Sequence, residues 1–320
     1  MKKSLTILAL ACVVTGANAQ DLTSKKGEQI LPEAGDWSIG VNANPFLEYM
    51  GNFFGKSANN TAPTFSFLTT NQTITGKYFT EAQMAYRASL RIGFGGNTQR
   101  AMVDDRAYLS TPSNATVNTY PTITPQVENS WKHSTTNIGL AVGMEKRKGK
   151  TRLQGFYGAE LGLNLSSSKD VFEYGNTLKP QPLVPGPNDP NVDVDPTDDA
   201  FSGSNNIVAS VNTSGNPTGR ITERKNGTTF TFGLRAFIGV EYFMLPKISL
   251  GGEFGWGLGL RTQGKSTTTI ESVGNKGGGA ADEVGTTTVE SSKNGGFALD
   301  TDNTNSIFGP SAQIRLNFHF

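Results

Sequence analysis

Gln313-Ile314-Arg315-Leu316-Asn317-Phe318-His319-Phe320 alternates polar and apolar residues without a break and ends on an aromatic side chain. Successive strand residues point to opposite faces. Ile314, Leu316, Phe318 and Phe320 therefore share one face, and Gln313, Arg315, Asn317 and His319 share the other. A soluble sandwich could use such a strand, with the apolar face turned to its core. The other end of the chain bears on the choice. Met1-Lys2-Lys3, an apolar run from Leu5 to Val14, and Ala17-Asn18-Ala19 before Gln20 read as a secretory signal peptide over 1–19.

The apolar run of that leader is too short to span a bilayer as a helix. Cys12, the only cysteine, lies inside it. A lipid anchor at Cys12 would need a lipobox, and Ala9-Leu10-Ala11 is a poor one, whereas Ala17-Asn18-Ala19 is a good cleavage site. No later apolar run reaches helix-spanning length. The negative mean hydropathy argues against a helical membrane protein but leaves room for alternating strands. A formal charge of +1 implies no nucleic-acid partner and no acidic substrate. Gly, Thr, Asn and Ser abound and long helical periodicities are missing, so the class is all-β.

Six more segments alternate like the last one: Trp37 to Asn44, Met84 to Phe94, Thr136 to Lys146, Leu153 to Leu165, Phe230 to Tyr242, and Ile248 to Leu260. The connections at 147–150 and 245–247 are tight turns. Those near 97–130, 168–227 and 263–304 are long, polar, and rich in Thr, Asn, Ser, Gly and Pro. Outer-membrane barrels keep short turns inside and long loops outside. With both mature termini in the periplasm, strand direction must alternate. Parity then demands an inward strand before Met84, and Thr64 to Thr80 is the candidate, with a turn at Glu81-Ala82-Gln83. The expected architecture is all-β: an eight-stranded antiparallel up-and-down transmembrane β-barrel over 36–320, with long extracellular loops. A periplasmic segment over 20–35 precedes it.

If apolar residues face lipid, the inward face carries Arg87, Arg91, Arg152, Arg235, Arg261 and Arg315 against Glu145, Glu160, Glu241 and Glu253. Eight strands enclose an interior that side chains fill. Ionised groups there must pair, because an unpaired buried charge is prohibitively costly. Pairing around Leu245-Pro246 puts Arg235 one diagonal step from Glu253, with Arg315 able to share it. The expectation is a plugged lumen. Inward glycines from Gly239 to Gly259 make room for the long side chains. Gly251 to Gly257 lacks the Lys-Ser/Thr ending and following helix of a phosphate loop.

Chemistry in the loops is sparse. His133 with Ser130, Ser134 or Glu128 is a conceivable hydrolase constellation, and His319 sits at the inner rim. Zinc would need several convergent ligands, and mature cysteine is absent. The stretch Pro185 to Asp199 concentrates Asp189, Asp193, Asp195, Asp198 and Asp199. It could meet calcium's demand for oxygen ligands, but prolines interrupt it and the EF-hand spacing is missing. No catalytic, cofactor-binding or metal-ligating residue is assigned, and the chain is not expected to be an enzyme.

Trp37-Ser38-Ile39-Gly40-Val41, Gly76-Lys77-Tyr78-Phe79 with Ala85-Tyr86-Arg87, and Glu145 to Lys150 leading into Gln154-Gly155-Phe156-Tyr157-Gly158 carry a resemblance. They are similar to outer-membrane β-barrel proteins of the Bacteroides group. The resemblance covers the strands and not the long loops. It implies a small closed barrel in the outer membrane, with lipid and other outer-membrane proteins as partners, and it transfers no catalytic residue. The expected roles are envelope structure, surface binding or service in a larger outer-membrane complex. A lipid- or glycan-modifying enzyme and a small-solute channel are the alternatives.

Overall fold

The computed structural model describes residues 23–24, 26–55, 74–105, 125–178, 199–201, 205–208, 219–275, 282–301 and 313–320. The expected signal peptide, residues 64–73 of the expected eighth strand, and the acidic stretch apart from Asp199 lie outside them. Strands dominate: β1 (Trp37–Asn42), β2 (Ile74–Glu81), β3 (Met84–Asp104), β4 (Gln126–Lys148), β5 (Leu153–Glu173) and β6 (Ile207–Val208). They continue with β7 (Gly219–Leu245), β8 (Ile248–Gln263), β9 (Thr267–Asn275), β10 (Asp282–Glu290), β11 (Asn294–Thr301) and β12 (Gln313–His319). All pairings are antiparallel.

Eight of these strands close on themselves in the order β1, β2, β3, β4, β5, β7, β8, β12 and back to β1. Each expected alternating segment supplies one of them, and Ile74–Glu81 is the strand that parity demanded. The ring closes where Trp37 and Phe320 exchange backbone hydrogen bonds of 3.2 and 2.8 Å. One circuit of paired residues runs Ser249, Asn317, Gly40, Thr75, Ser89, Ala141, Gly162, Gly233, Gly259. It returns to β8 ten residues further on (259 − 249). Such a stagger tilts the strands by about 40° and leaves an interior that side chains can fill.

The two faces of the ring are inverted relative to a soluble core. Outward positions expose Trp37 (60%), Leu90, Ile92, Leu140, Val142, Leu163, Leu234, Ile238 (56%), Trp256 and Leu260 (59%), while Arg235 (1%), Glu145 (0%), Glu241 (1%) and Lys77 (4%) are buried inside. On β7 the apolar outward run extends from Phe230 to Tyr242. At about 3.3 Å per residue and about 40° of tilt, it covers about 30 Å along the axis. Trp37, Tyr78, Tyr86, Tyr157 and Tyr242 gather toward the end with the short turns, where Trp37 and Tyr78 pack with ring centroids 4.7 Å apart.

At the opposite end, β3, β4, β5 and β7 run well past the apolar band. Outward positions there carry ion pairs instead: Arg100–Glu128 at 3.3 Å, Lys132–Glu173 at 2.8 Å, and Lys169 and Lys225 on Glu223 at 2.6 and 2.7 Å. Inside this extension Phe172, Phe201 and Ile221 form a small core, with Trp131 stacked on Phe172. These strands correct the sequence reading, which assigned 97–130, 168–227 and 263–304 wholly to loops. β3 and β4 reach 104 and 126, β5 and β7 reach 173 and 219, and β9, β10 and β11 occupy much of 263–304. Their Thr, Gly and Asn content hides them, because strands wetted on both faces need no apolar alternation.

One helix departs from the all-strand expectation. α1 (Asn44–Phe54) follows β1, with Pro45 in its first turn and Gly55 closing it by a 2.8 Å bond to the Gly51 carbonyl. The chain is anchored there by Ala43, whose amide donates to the Ile314 carbonyl at 2.7 Å. At the turn end, Gly35 donates to the Phe79 carbonyl at 2.7 Å, tying the expected N-terminal segment to β2.

Candidate functional site

The interior divides along its axis into a charged half and a hydroxyl-rich half, and strand parity produces both. Alternate residues of β2, β3, β4, β5, β7, β8 and β12 point inward, and near the short turns these are Lys77, Arg87, Glu145, Arg147, Glu160, Arg235, Glu241, Glu253 and Arg315. Arg87 grips Glu253 with both terminal nitrogens at 2.9 and 3.2 Å, and its Nε lies 3.2 Å from Glu160. Arg235 bridges Glu160 at 2.8 Å and Glu253 at 2.7 Å, and Arg315 stands 3.7 Å from Glu253. Nearer the turns, Lys77 lies 3.0 Å from Glu145 and 3.4 Å from Glu241, and Arg147 pairs closely with Glu241.

Among the described residues, five cations thus meet four carboxylates in a layer packed with phenylalanine rings. Those rings serve the cations: Arg87 lies 4.1 Å over Phe237, and Arg147 5.4 Å over both Phe79 and Phe243. Below them Glu241 also takes hydrogen bonds from Asn317, at 2.6 Å, and from Ser249. Removing one member would strand a buried charge, so the layer stands or falls as a network. Gly255 shows how tightly it is filled: an added Cβ there would sit 2.9 Å from the Arg235 Nε.

The sequence identified most of this floor and missed two cations. Lys77 lies on the strand whose alternation is weakest, so its face could not be assigned. Arg147 was read as a turn residue, yet β4 continues to Lys148 and Arg147 shares the parity of Glu145. Three expected members are elsewhere: Arg91 lines a cavity above the floor, and two lie at the ends. Arg152 sits at the β4–β5 turn and donates to the Met244 carbonyl at 3.1 Å, and Arg261 is exposed near the far mouth. The register also differs: Arg235 faces Gly257 and Glu253 faces Gly239, two diagonal steps apart rather than one. The turn is the two-residue Pro246-Lys247, with an irregularity between Phe243 and Leu245.

Above the floor the same inward face turns to hydroxyls and amides. Two adjoining cavities of about 380 and 660 Å³ share Ser166, Thr229 and Gln263 in their walls. Asn137 and Arg91 line the smaller, and Asn164, Thr231 and Arg261 the larger. Among the described residues neither wall contains an aspartate or glutamate. The Oδ1 atoms of Asn137 and Asn164 are buried without a hydrogen-bond partner. Composition alone gave no sign of this vestibule, because its residues are those of an ordinary polar strand face.

The two histidines are engaged differently. His133 Nδ1 meets Asp170 Oδ1 at 2.6 Å, and Asp170 also accepts from Trp131 Nε1 at 3.0 Å. Ser130 donates to Glu173 and Ser134 to the Lys169 carbonyl, so neither joins His133. His319 lies at the turn end, where its amide donates to the Lys247 carbonyl, and its ring is buried, with Nε2 3.0 Å from Ser249 Oγ and 3.5 Å from Glu241 Oε1. The carboxylate there faces the same ring nitrogen as the serine, which is not the orienting role of a catalytic triad. Asp199 is buried and held by Arg220 at 2.8 Å and Asn129 at 3.2 Å, which anchors its carboxylate in the extension.

Tyr174 completes that corner. Its hydroxyl donates to the Ile221 carbonyl at 2.6 Å and accepts from Asn206 at 3.0 Å, while Arg220 lies 4.2 Å over its ring. Burial pushes the phenol up to about 12. On the outer wall, hydrogen bonds from Lys132 and Ser130 hold the Glu173 carboxyl below the usual range. Comparison of the chain with protein-family models, with curated proteins and with solved structures found no match.

Proposed function

We propose that this chain is an integral outer-membrane β-barrel of the kind it resembles, with a closed lumen, acting through binding at its long-strand end rather than through conduction or catalysis. The observation that carries the reading is the inversion of its faces. A soluble monomer rarely exposes an apolar patch beyond a few hundred Å², whereas here an apolar band encircles the ring. Its height of about 30 Å suits a bilayer core, and the aromatics toward the turn end suit an interfacial girdle. The ion-paired floor supports a lumen closed to solutes. In this reading the short turns are periplasmic, and the extension and vestibule face outward.

Separation of native membranes tests it. The chain should copurify with the outer membrane and migrate faster in gels before boiling than after. Recovery as a soluble protein, with one mobility throughout, would refute it.

A further inference from the structure

α1 turns its apolar side away from the protein, as the ring strands do. We infer that it is a helical stave of the membrane wall: Leu47, Met50, Phe53 and Phe54 lie against lipid acyl chains, and the opposite edge, with Glu48, faces the lumen. The inference rests on the lipid-facing band of the preceding reading and extends it to an element that is not a strand.

The first support is the division of the helix surface. At about 100° per residue, Phe53, Met50, Phe54 and Leu47 fall within one arc of about 120°, and Glu48 stands about 160° from Met50. All four apolar side chains are exposed, Phe53 at 64% and Phe54 at 74%, whereas Tyr49 and Asn52, on one flank of that arc, are half-buried. A helix on a soluble protein does the reverse, burying its apolar stripe and wetting its polar one.

The second is where the helix leaves the wall. β1 begins at Trp37, among the aromatics of the turn end, and gives way to α1 at Ala43, whose amide bonds the Ile314 carbonyl. Ile314 pairs with Gly252 and exposes its side chain on the outward face of β12. From Trp37 to Ala43 the chain climbs about 15 Å at about 40° of tilt, which reaches the middle of the apolar band. The 11 residues of α1 span about 16 Å, so strand and helix together match a hydrocarbon core of about 30 Å. The helix starts beside Ile314, a residue of the band, and this continuity selects acyl chains as the partner.

The third is the backbone. A segment that leaves a sheet inside hydrocarbon must satisfy its own amides and carbonyls, which a helix does. The ladder of α1 opens with Leu47 donating to the Ala43 carbonyl at 3.0 Å and closes with Gly55 on the Gly51 carbonyl. Pro45, in the first turn, has no N–H to leave unmet.

Single cysteines test the two edges. Met50→Cys, Phe54→Cys, Glu48→Cys and Leu234→Cys, each in a Cys12→Ser background, carry a nitrobenzoxadiazole probe in phosphatidylcholine vesicles. Nitroxide-bearing acyl chains quench from the lipid side and iodide from the aqueous side. Nitroxide should quench at Met50 and Phe54 as deeply as at Leu234, on the ring's outward face, and about threefold more than at Glu48. Iodide should act in the opposite order. Heat-modifiable mobility checks that each variant has folded, and Met50→Cys and Phe54→Cys stand in for each other. Iodide quenching at Met50 and Phe54 equal to that at Glu48, or nitroxide quenching as deep at Glu48, would overturn the inference. Shielding of Met50 and Phe54 from both quenchers would overturn it too, since protein, a second copy included, would then cover the face. If Leu234 itself escapes the nitroxide, the barrel reading fails and this inference with it.

Discussion

Arg235 and Glu253 meet at 2.7 Å across the interior although the strand register places them four residues apart, Arg235 opposite Gly257 and Glu253 opposite Gly239. Glycine on both facing positions removes the side chains that would otherwise separate them. The long guanidinium stem lies along the cleared track, and Glu253 becomes the hub for Arg87, Arg235 and Arg315.

Glu253→Gln should therefore destabilise the ring. The amide keeps the shape but leaves three buried guanidinium groups sharing Glu160 and Glu145. Breaking one side of a buried ion pair costs about 3–5 kcal/mol. Urea unfolding in detergent micelles measures this, and a variant as stable as the parent would show that the floor is hydrated.

In the proposed reading the floor also closes the lumen. Planar-bilayer recordings of the purified protein should show no sustained steps of porin size. Large steady conductance would mean that the Arg–Glu layer opens under working conditions.

The extension should loosen in alkali. Tyr174 is pushed up to about 12 from an ordinary value near 10, so the folded extension holds its phenolic proton longer than the unfolded one. Stability from this group is fully present below about pH 10 and is lost as pH rises through about 12. Fluorescence of Trp131, which stacks on Phe172 in the same corner, should report the change. In Tyr174→Phe the alkaline transition should disappear, at a standing cost of about 0.5–1.5 kcal/mol for the lost hydrogen bonds. An identical alkaline transition in Tyr174→Phe would place its cause elsewhere.

The orientation can be read by single cysteines, since the only native one is Cys12. Ser292→Cys, in the exposed β10–β11 connection, should react with an impermeant maleimide on intact cells. Lys150→Cys, at the β4–β5 turn, should react only after the outer membrane is opened. The reverse pattern would invert the topology.

What the sequence revealed followed from where physics forces a pattern. Alternation marked each ring strand because one side must be apolar and the other charged, and turn parity supplied β2 before any pattern in it could. Lys77 stayed hidden because its strand alternates weakly, and Arg147 because a Lys/Arg/Gly cluster mimics a turn. β9, β10 and β11 escaped notice because strands such as Thr267–Asn275 carry threonine on both faces and need no apolar side. α1 was missed because eleven residues give barely three turns of periodicity. The vestibule was invisible for a different reason: Asn137, Asn164 and Thr229 come together only because β4, β5 and β7 pair side by side.

If the apolar band faces lipid chains while the extension does not, the tryptophans report it directly. Trp37 and Trp256 lie on the outward face of the ring, and Trp131 lies in the extension. The Trp131→Phe variant, reconstituted in vesicles with brominated acyl chains, should lose most of its fluorescence. A Trp37→Phe/Trp256→Phe variant, which retains only Trp131, should keep nearly all of it. Strong emission from Trp37 and Trp256 in brominated vesicles, or quenching of Trp131 as deep as theirs, would contradict the account.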